Sequence, residues 1–109
     1  MFLDLHSHSK KLGTFFYGNS FRESKFVSRK FPIMVCKKDS RFSYTSCRFC
    51  PCNNKSARYV LFESLNIPLI YTVESSFYGY QKDGHNIFQY LPKDYREMGI
   101  TILETFLEY

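Results

Sequence analysis

Two short segments hold the residues best suited to chemistry. The first is Phe2-Leu3-Asp4-Leu5-His6-Ser7-His8-Ser9. A neutral imidazole suits a catalytic zinc ion, above all when a neighbouring carboxylate holds its other ring nitrogen. Asp4 stands two residues before His6 and shares its face of an extended strand, and His8 shares it if the strand continues. The second segment is Ile70-Tyr71-Thr72-Val73-Glu74-Ser75-Ser76-Phe77, in which Glu74 directly follows a β-branched and apolar run. A carboxylate held at the end of such a strand can take a proton from a metal-bound water and return it to a leaving amine. Taken singly, each segment has a plainer reading. His-x-His reads as two surface histidines in a polar loop, and a lone glutamate usually meets water.

The elements that must position these residues follow from periodicity. Phe2 to His6 reads as a strand, and Thr14-Phe15-Phe16-Tyr17 as a second between Gly13 and Gly18. Glu23 to Lys37 has the apolar spacing of an amphipathic helix that Pro32 should kink or split. Asp39 to Lys55 lacks periodicity and reads as a loop. Ser56 to Asn66 reads as a helix capped by Ser56, with Val60, Leu61 and Leu65 on one apolar stripe, and Pro68 stops it. Leu69 to Val73 reads as a buried strand and Tyr78 to Tyr90 as a loop. Pro92 opens a last helix with Tyr95, Met98, Ile102, Thr105 and Phe106 near one face. The order is α/β, with about three nearly apolar strands in a mixed sheet flanked by helices. The helices are too few to cover two sheet faces, so the chain reads as part of a larger α/β domain.

Composition narrows the partners. The net charge of +5 favours an acidic partner. Lys25, Arg29, Lys30, Lys37, Lys38 and Arg41 give a second reading as a small basic binding module without catalysis. No segment approaches the roughly 20 apolar residues of a membrane span. Met1 to Lys10 lacks the apolar run of a signal peptide, so a soluble intracellular chain is expected. Cys47, Cys50 and Cys52 invite a zinc reading, but no second pair completes it and Cys36 and His85 are arbitrarily spaced. Reduced thiols are expected.

In their order, the two chemical segments resemble the cytosolic carboxypeptidases, zinc enzymes related to carboxypeptidase A. Asp4-Leu5-His6-Ser7-His8-Ser9-Lys10-Lys11 resembles the family's Asp-x-His-Gly-His-Ser run followed by Arg-Lys, with Ser7 in place of Gly, and Phe16-Tyr17-Gly18 resembles the aromatic Tyr-Gly pair that follows. Tyr71-Thr72-Val73-Glu74-Ser75-Ser76-Phe77 resembles Tyr-Thr-Leu-Glu-Ala-Ser-Phe. Between them, Ser56 to Pro68 resembles the family segment Gly-Thr-Ala-Arg-Val-Val-Leu-Phe-Arg-Glu-Leu-Gly-Ile-Pro, which puts Arg58 where the pocket for a C-terminal side chain is lined.

The resemblance implies residues 1–109 as the C-terminal portion of one metallocarboxypeptidase domain whose upstream part is absent. It implies hydrolysis of the last peptide bond of acidic protein tails such as those of tubulin, in the cytoplasm and in association with microtubules or cilia. It puts one Zn2+ on His6, makes Glu74 the general base and acid, and lets Arg58 bind an acidic side chain. An exposed helix arginine without a specific role weighs equally for Arg58. The family's His-x-x-Glu ligand pair has no counterpart here, so the other ligands are expected upstream and the isolated chain is expected to be inactive. No membrane and no nucleic acid is expected as partner. His6, Glu74 and Arg58 are expected to face one cleft.

Overall fold

The computed structural model describes residues 1–21, 23–50 and 56–109. Four strands form the main sheet: β1 (Phe2–His8), β2 (Thr14–Gly18), β3 (Arg48–Phe49) and β4 (Ile70–Ser76). Their order across the sheet is β1-β4-β2-β3. β4 runs parallel to β1 and antiparallel to β2, and β3 is parallel to β2. A hairpin of β5 (Gly79–Gln81) and β6 (Ile87–Gln89) stands apart from this sheet. The helices are α1 (Val27–Lys38), α2 (Ala57–Leu65) and α3 (Pro92–Glu108). The architecture is the expected mixed sheet with flanking helices.

Side chains alternate across β4, so one strand serves two surfaces. Tyr71 and Val73 turn toward α1 and α3, where they join Phe16, Phe31, Val35, Met98 and Ile102 in one core. Phe16 stacks on Tyr71 at 5.1 Å and on Phe31 at 6.0 Å. Large rings fill the space that longer helices would otherwise cover. Thr72, Glu74 and Ser76 alternate with them and belong to the opposite face.

Pro32 lies inside α1 without splitting it. A proline at this position cannot donate to the carbonyl four residues back, which is that of Ser28. That carbonyl accepts instead from the Tyr71 hydroxyl at 2.8 Å. The bond lost to proline is replaced from the sheet. The helix starts at Val27, later than periodicity suggested, and Phe26 offers no side-chain cap.

Several expectations need correction. The strand count of about three was low: the described residues form six. Two residues of β3 carry no period, and the β5–β6 hairpin was read as loop. Its signal is Asp83-Gly84 between aromatic runs: Gly84 has φ +75° and Asp83 Oδ1 accepts from His85 N and Asn86 N. The α2 stripe is not buried, since Val60 and Leu65 are exposed and the buried residue of this helix is Arg58. Ser56 does cap α2, its side chain accepting from Tyr59 N. In α3 the buried positions are Asp94, Met98, Ile102 and Thr105, whereas Tyr95 and Phe106 sit at the margin. The sheet is not covered throughout: β1 has only β4 beside it, and its Leu5 is 74% exposed.

Arg41 ties the loop after α1 to the start of α3. Its guanidinium meets Asp39 at 2.7 Å, Asp94 at 2.8 Å and Glu97 at 2.7 Å. Asp94 also accepts from Leu91 N at 2.8 Å and so caps α3. Burial alone would raise the Asp39 carboxyl, but its bonds to the Arg41 side chain and backbone outweigh burial and hold it below its ordinary value. A carboxyl lowered in the folded state stabilises fully above its unfolded pKa of about 4, and this stabilisation is lost as pH falls through the lowered value. Thermal melting of the chain should therefore weaken on acidification below about pH 4. Arg41→Met should lower Tm at pH 7 by roughly 10 °C and flatten that acid slope. An unchanged Tm and slope would remove Arg41 as the anchor of α3.

Candidate active site

β1 and β4 bring the two sequence segments together. In their parallel register His6 lies directly opposite Glu74. In-register neighbours point to the same sheet face, so the imidazole and the carboxylate share a side although 68 positions separate them in the chain. On the far side of Glu74, Phe15 of β2 is level with it. The row His6, Glu74, Phe15 therefore crosses three strands. It lies near the carboxyl ends of the two parallel strands, where open α/β sheets collect ligands.

The row is graded in exposure. The His6 side chain is 52% exposed, Glu74 only 9% and Phe15 not at all. A metal or peptide can reach His6 from solvent, whereas Glu74 sits against an apolar wall. Among the described residues no donor reaches the Glu74 carboxylate. Its oxygens still touch solvent, so the carboxylate keeps contact with water while its stem is covered.

His6 is oriented by its own strand. Asp4 Oδ2 lies 3.0 Å from His6 Nε2. A neutral imidazole that donates Nε2–H to Asp4 keeps its lone pair on Nδ1, the form a metal ligand needs. His8 is committed elsewhere. Its Nδ1 accepts from Lys10 N at 3.1 Å and Lys11 N at 3.0 Å, closing the turn that leaves β1, and its ring meets Phe15 edge-on at 5.1 Å. Geometry therefore separates two histidines that spacing alone left equivalent.

Arg58, on α2, meets a different part of the sheet. It is buried, and its Nη1 donates to Gly18 O at 2.9 Å and to Asn19 Oδ1. Asn19 Nδ2 in turn donates to Arg58 O at 3.2 Å. Gly18 is opposite Tyr71, three positions along β2 from the Phe15–Glu74 level, roughly 10 Å away. Arg58 is thus not an exposed helix arginine, and the structure does not bring it beside His6 and Glu74.

The cysteines described are free thiols. Cys47 is buried, its sulfur accepts from Phe16 N at 3.3 Å, and burial pushes its thiol up to about 11. Cys52 lies outside the described residues. Among the described residues no three His, Cys, Asp or Glu side chains come together to hold a metal. Three of the basic residues of α1 make contacts within the protein. Arg29 lies over the Phe49 ring at 4.8 Å, Lys30 over Tyr109 at 4.9 Å, and Lys38 pairs with Glu108 at 2.5 Å. Arg41, counted in the basic patch from sequence, is surrounded by carboxylates.

Comparison with known proteins gives the same family as the two segments. The chain is 32% identical to cytosolic carboxypeptidase 6 of Mus musculus over 118 aligned residues, covering 99% of the chain and 21% of the relative. It is 31% identical to cytosolic carboxypeptidase 2 of Homo sapiens, covering all of the chain and 12% of the relative. The chain belongs to the cytosolic carboxypeptidases. It spans about a fifth or less of the length of these curated relatives. No family model matches it. The relatives are named cytosolic, and no helix among the described residues is long and apolar enough to cross a membrane. Sequence reasoning named His6, Asp4 and Glu74, which the register puts on one face of the sheet. It missed Phe15 as the wall beside Glu74, because alternation in Thr14 to Tyr17 shows which residues share a face but not which face they share.

The Asp4 contact makes a testable claim about the ring. In long-range 1H–15N spectra above pH 8, His6 should show Nε2–H and an unprotonated Nδ1, and Asp4→Ala should shift it toward a tautomer mixture. An Nδ1–H tautomer in the unaltered chain would remove His6 as a preformed Nδ1 ligand.

Proposed function

We propose that this chain supplies part of the active site of a zinc-dependent metallocarboxypeptidase that removes C-terminal residues, foremost glutamates, from acidic protein tails such as those of tubulin. The observation that carries the reading is the register that sets His6 beside Glu74. His6 would hold the single zinc ion through Nδ1, with Asp4 fixing the ring. The remaining ligands would come from outside these residues, since the described ones form no cage of three. When bound, zinc makes a water more acidic and polarises the carbonyl under attack.

The chain's own groups then have defined tasks. The Glu74 carboxylate takes a proton from the attacking water and returns it to the departing amine. Phe15 keeps bulk water from its flank. Arg58, roughly 10 Å along the sheet from the Glu74 level, would select an acidic side chain that reaches that far, with its Nη1 fixed by Gly18 O and Asn19. The positive balance of the chain suits an acidic tail, and the cytoplasm, including its microtubules, is the place of action. The isolated chain has one imidazole for the metal and would be inactive, because single ligands do not retain catalytic zinc.

The test uses a complete enzyme that contains this segment. His6→Ala should lose zinc and all release of C-terminal glutamate. Glu74→Gln should keep zinc while kcat falls by about 10²–10⁴-fold. Full zinc retention in His6→Ala, or unchanged kcat in Glu74→Gln, would contradict these assignments.

A further inference from the structure

One cation at this end of the sheet lacks an anion. Lys11 is part-buried, and its ammonium lies 5.0 Å from the Phe15 ring centroid and 5.3 Å from that of Tyr17. Phe15 is the residue level with Glu74, and Tyr17 lies two positions along the same face. Lys11 Nζ also stands 3.4 Å from the Tyr17 hydroxyl and 3.4 Å from Ser46 O. These are long bonds, and an ammonium has three donors. Among the described residues no carboxylate pairs with it. Two ring faces, a hydroxyl and a carbonyl thus hold a charge in place without neutralising it.

The same ammonium borders a cavity of about 650 Å³. Lys10, Lys11, Lys82 and Arg41 line it, and no acidic side chain does. Arg41 is already matched by three carboxylates, so the uncompensated charge comes from the lysines. Lys82 lies over the Tyr80 and Phe88 rings at 5.8 and 5.7 Å. The turn after β1 forms one wall of the cavity, and His8 fixes that turn through the Lys10 and Lys11 amides. The cavity is thus bordered by the turn that joins the strand of His6 to the strand of Phe15.

The geometry points to this cavity as a carboxylate subsite that takes an acidic side chain of a peptide engaged at His6 and Glu74, with Lys11 as its anchor. The inference rests on the proposed peptidase reading and adds a second acid-recognising group, apart from Arg58. An acidic peptide fits better than a nucleic acid. The cavity is a local pocket, and the nearby cations Lys38 and Arg41 that could continue it into a stripe are paired with carboxylates. A lysine ammonium is a point charge without the fixed fork of a guanidinium, so it accepts a carboxylate at varied angles.

The test is binding and needs no turnover, so it can fail while the catalytic roles stand, and the reverse. A fluorescent hexaglutamate peptide is titrated with the chain at low salt and followed by anisotropy. Lys11→Met keeps the aliphatic stem over the rings and removes the charge. It is expected to weaken binding about tenfold, whereas Lys25→Met leaves binding unchanged and a hexaglutamine peptide does not bind. Should Lys11→Met fail to fold, Lys10→Met with Lys82→Met, both at exposed positions, is expected to weaken binding in the same direction. Three outcomes would overturn the inference: wild-type affinity in the variants that fold, displacement of the peptide by millimolar inorganic phosphate, or tighter binding of a single-stranded oligonucleotide of equal charge.

Discussion

The pairing of β4 with β1 is the interaction on which the other features depend. β4 lies between β1 and β2, and its residues alternate between two tasks. Tyr71 and Val73 complete the aromatic core, while Thr72, Glu74 and Ser76 form the opposite surface. A shift of one residue would exchange these sets, burying Glu74 in the core and exposing Tyr71. The register is held at both ends. Phe2 N donates to Leu69 O at 2.8 Å, and Phe77 N donates to His8 O at 3.1 Å. The Tyr71 hydroxyl adds a third anchor at Ser28 O, a carbonyl that Pro32 leaves open. A helix proline and a strand tyrosine thus help to place a glutamate three residues further along β4.

The candidate site separates exposure from burial within one row. His6 faces water beside Asp4, and Glu74 is largely covered by its neighbours, only 9% exposed. The opposite face of the sheet holds the ring cluster of Phe16, Phe31, Phe42 and Tyr71. The positive balance of the chain is likewise divided. Arg41 and Lys38 are paired with carboxylates, whereas Lys10, Lys11 and Lys82 line the cavity beside the turn that leaves β1.

Much of this was legible in the sequence, for identifiable reasons. Strands β1, β2 and β4 announce themselves as apolar or β-branched runs, and the two motif segments lie on them. The β1–β4 partnership is implied by resemblance alone, because pairing across 68 positions leaves no local trace. Other features were hidden by their physics. Arg41 looked like one more surface cation, because only Asp39 is near it in sequence and Asp94 and Glu97 meet it only after α3 docks. Arg58 sits in a helix whose apolar residues Val60 and Leu65 remain exposed, so amphipathic spacing pointed to the wrong face. The short β3 and the β5–β6 hairpin fall below the length at which alternation can be recognised.

The central claim is the register that sets His6 opposite Glu74. It is tested most directly by cross-strand nuclear Overhauser effects in a uniformly labelled sample of the chain. The account predicts amide-to-α-proton contacts that link His6 with the residues flanking Glu74, and the same pattern stepping from Phe2 with Ile70 to His8 with Ser76. Contacts displaced by one residue would put the imidazole and the carboxylate on opposite faces of the sheet and contradict the account.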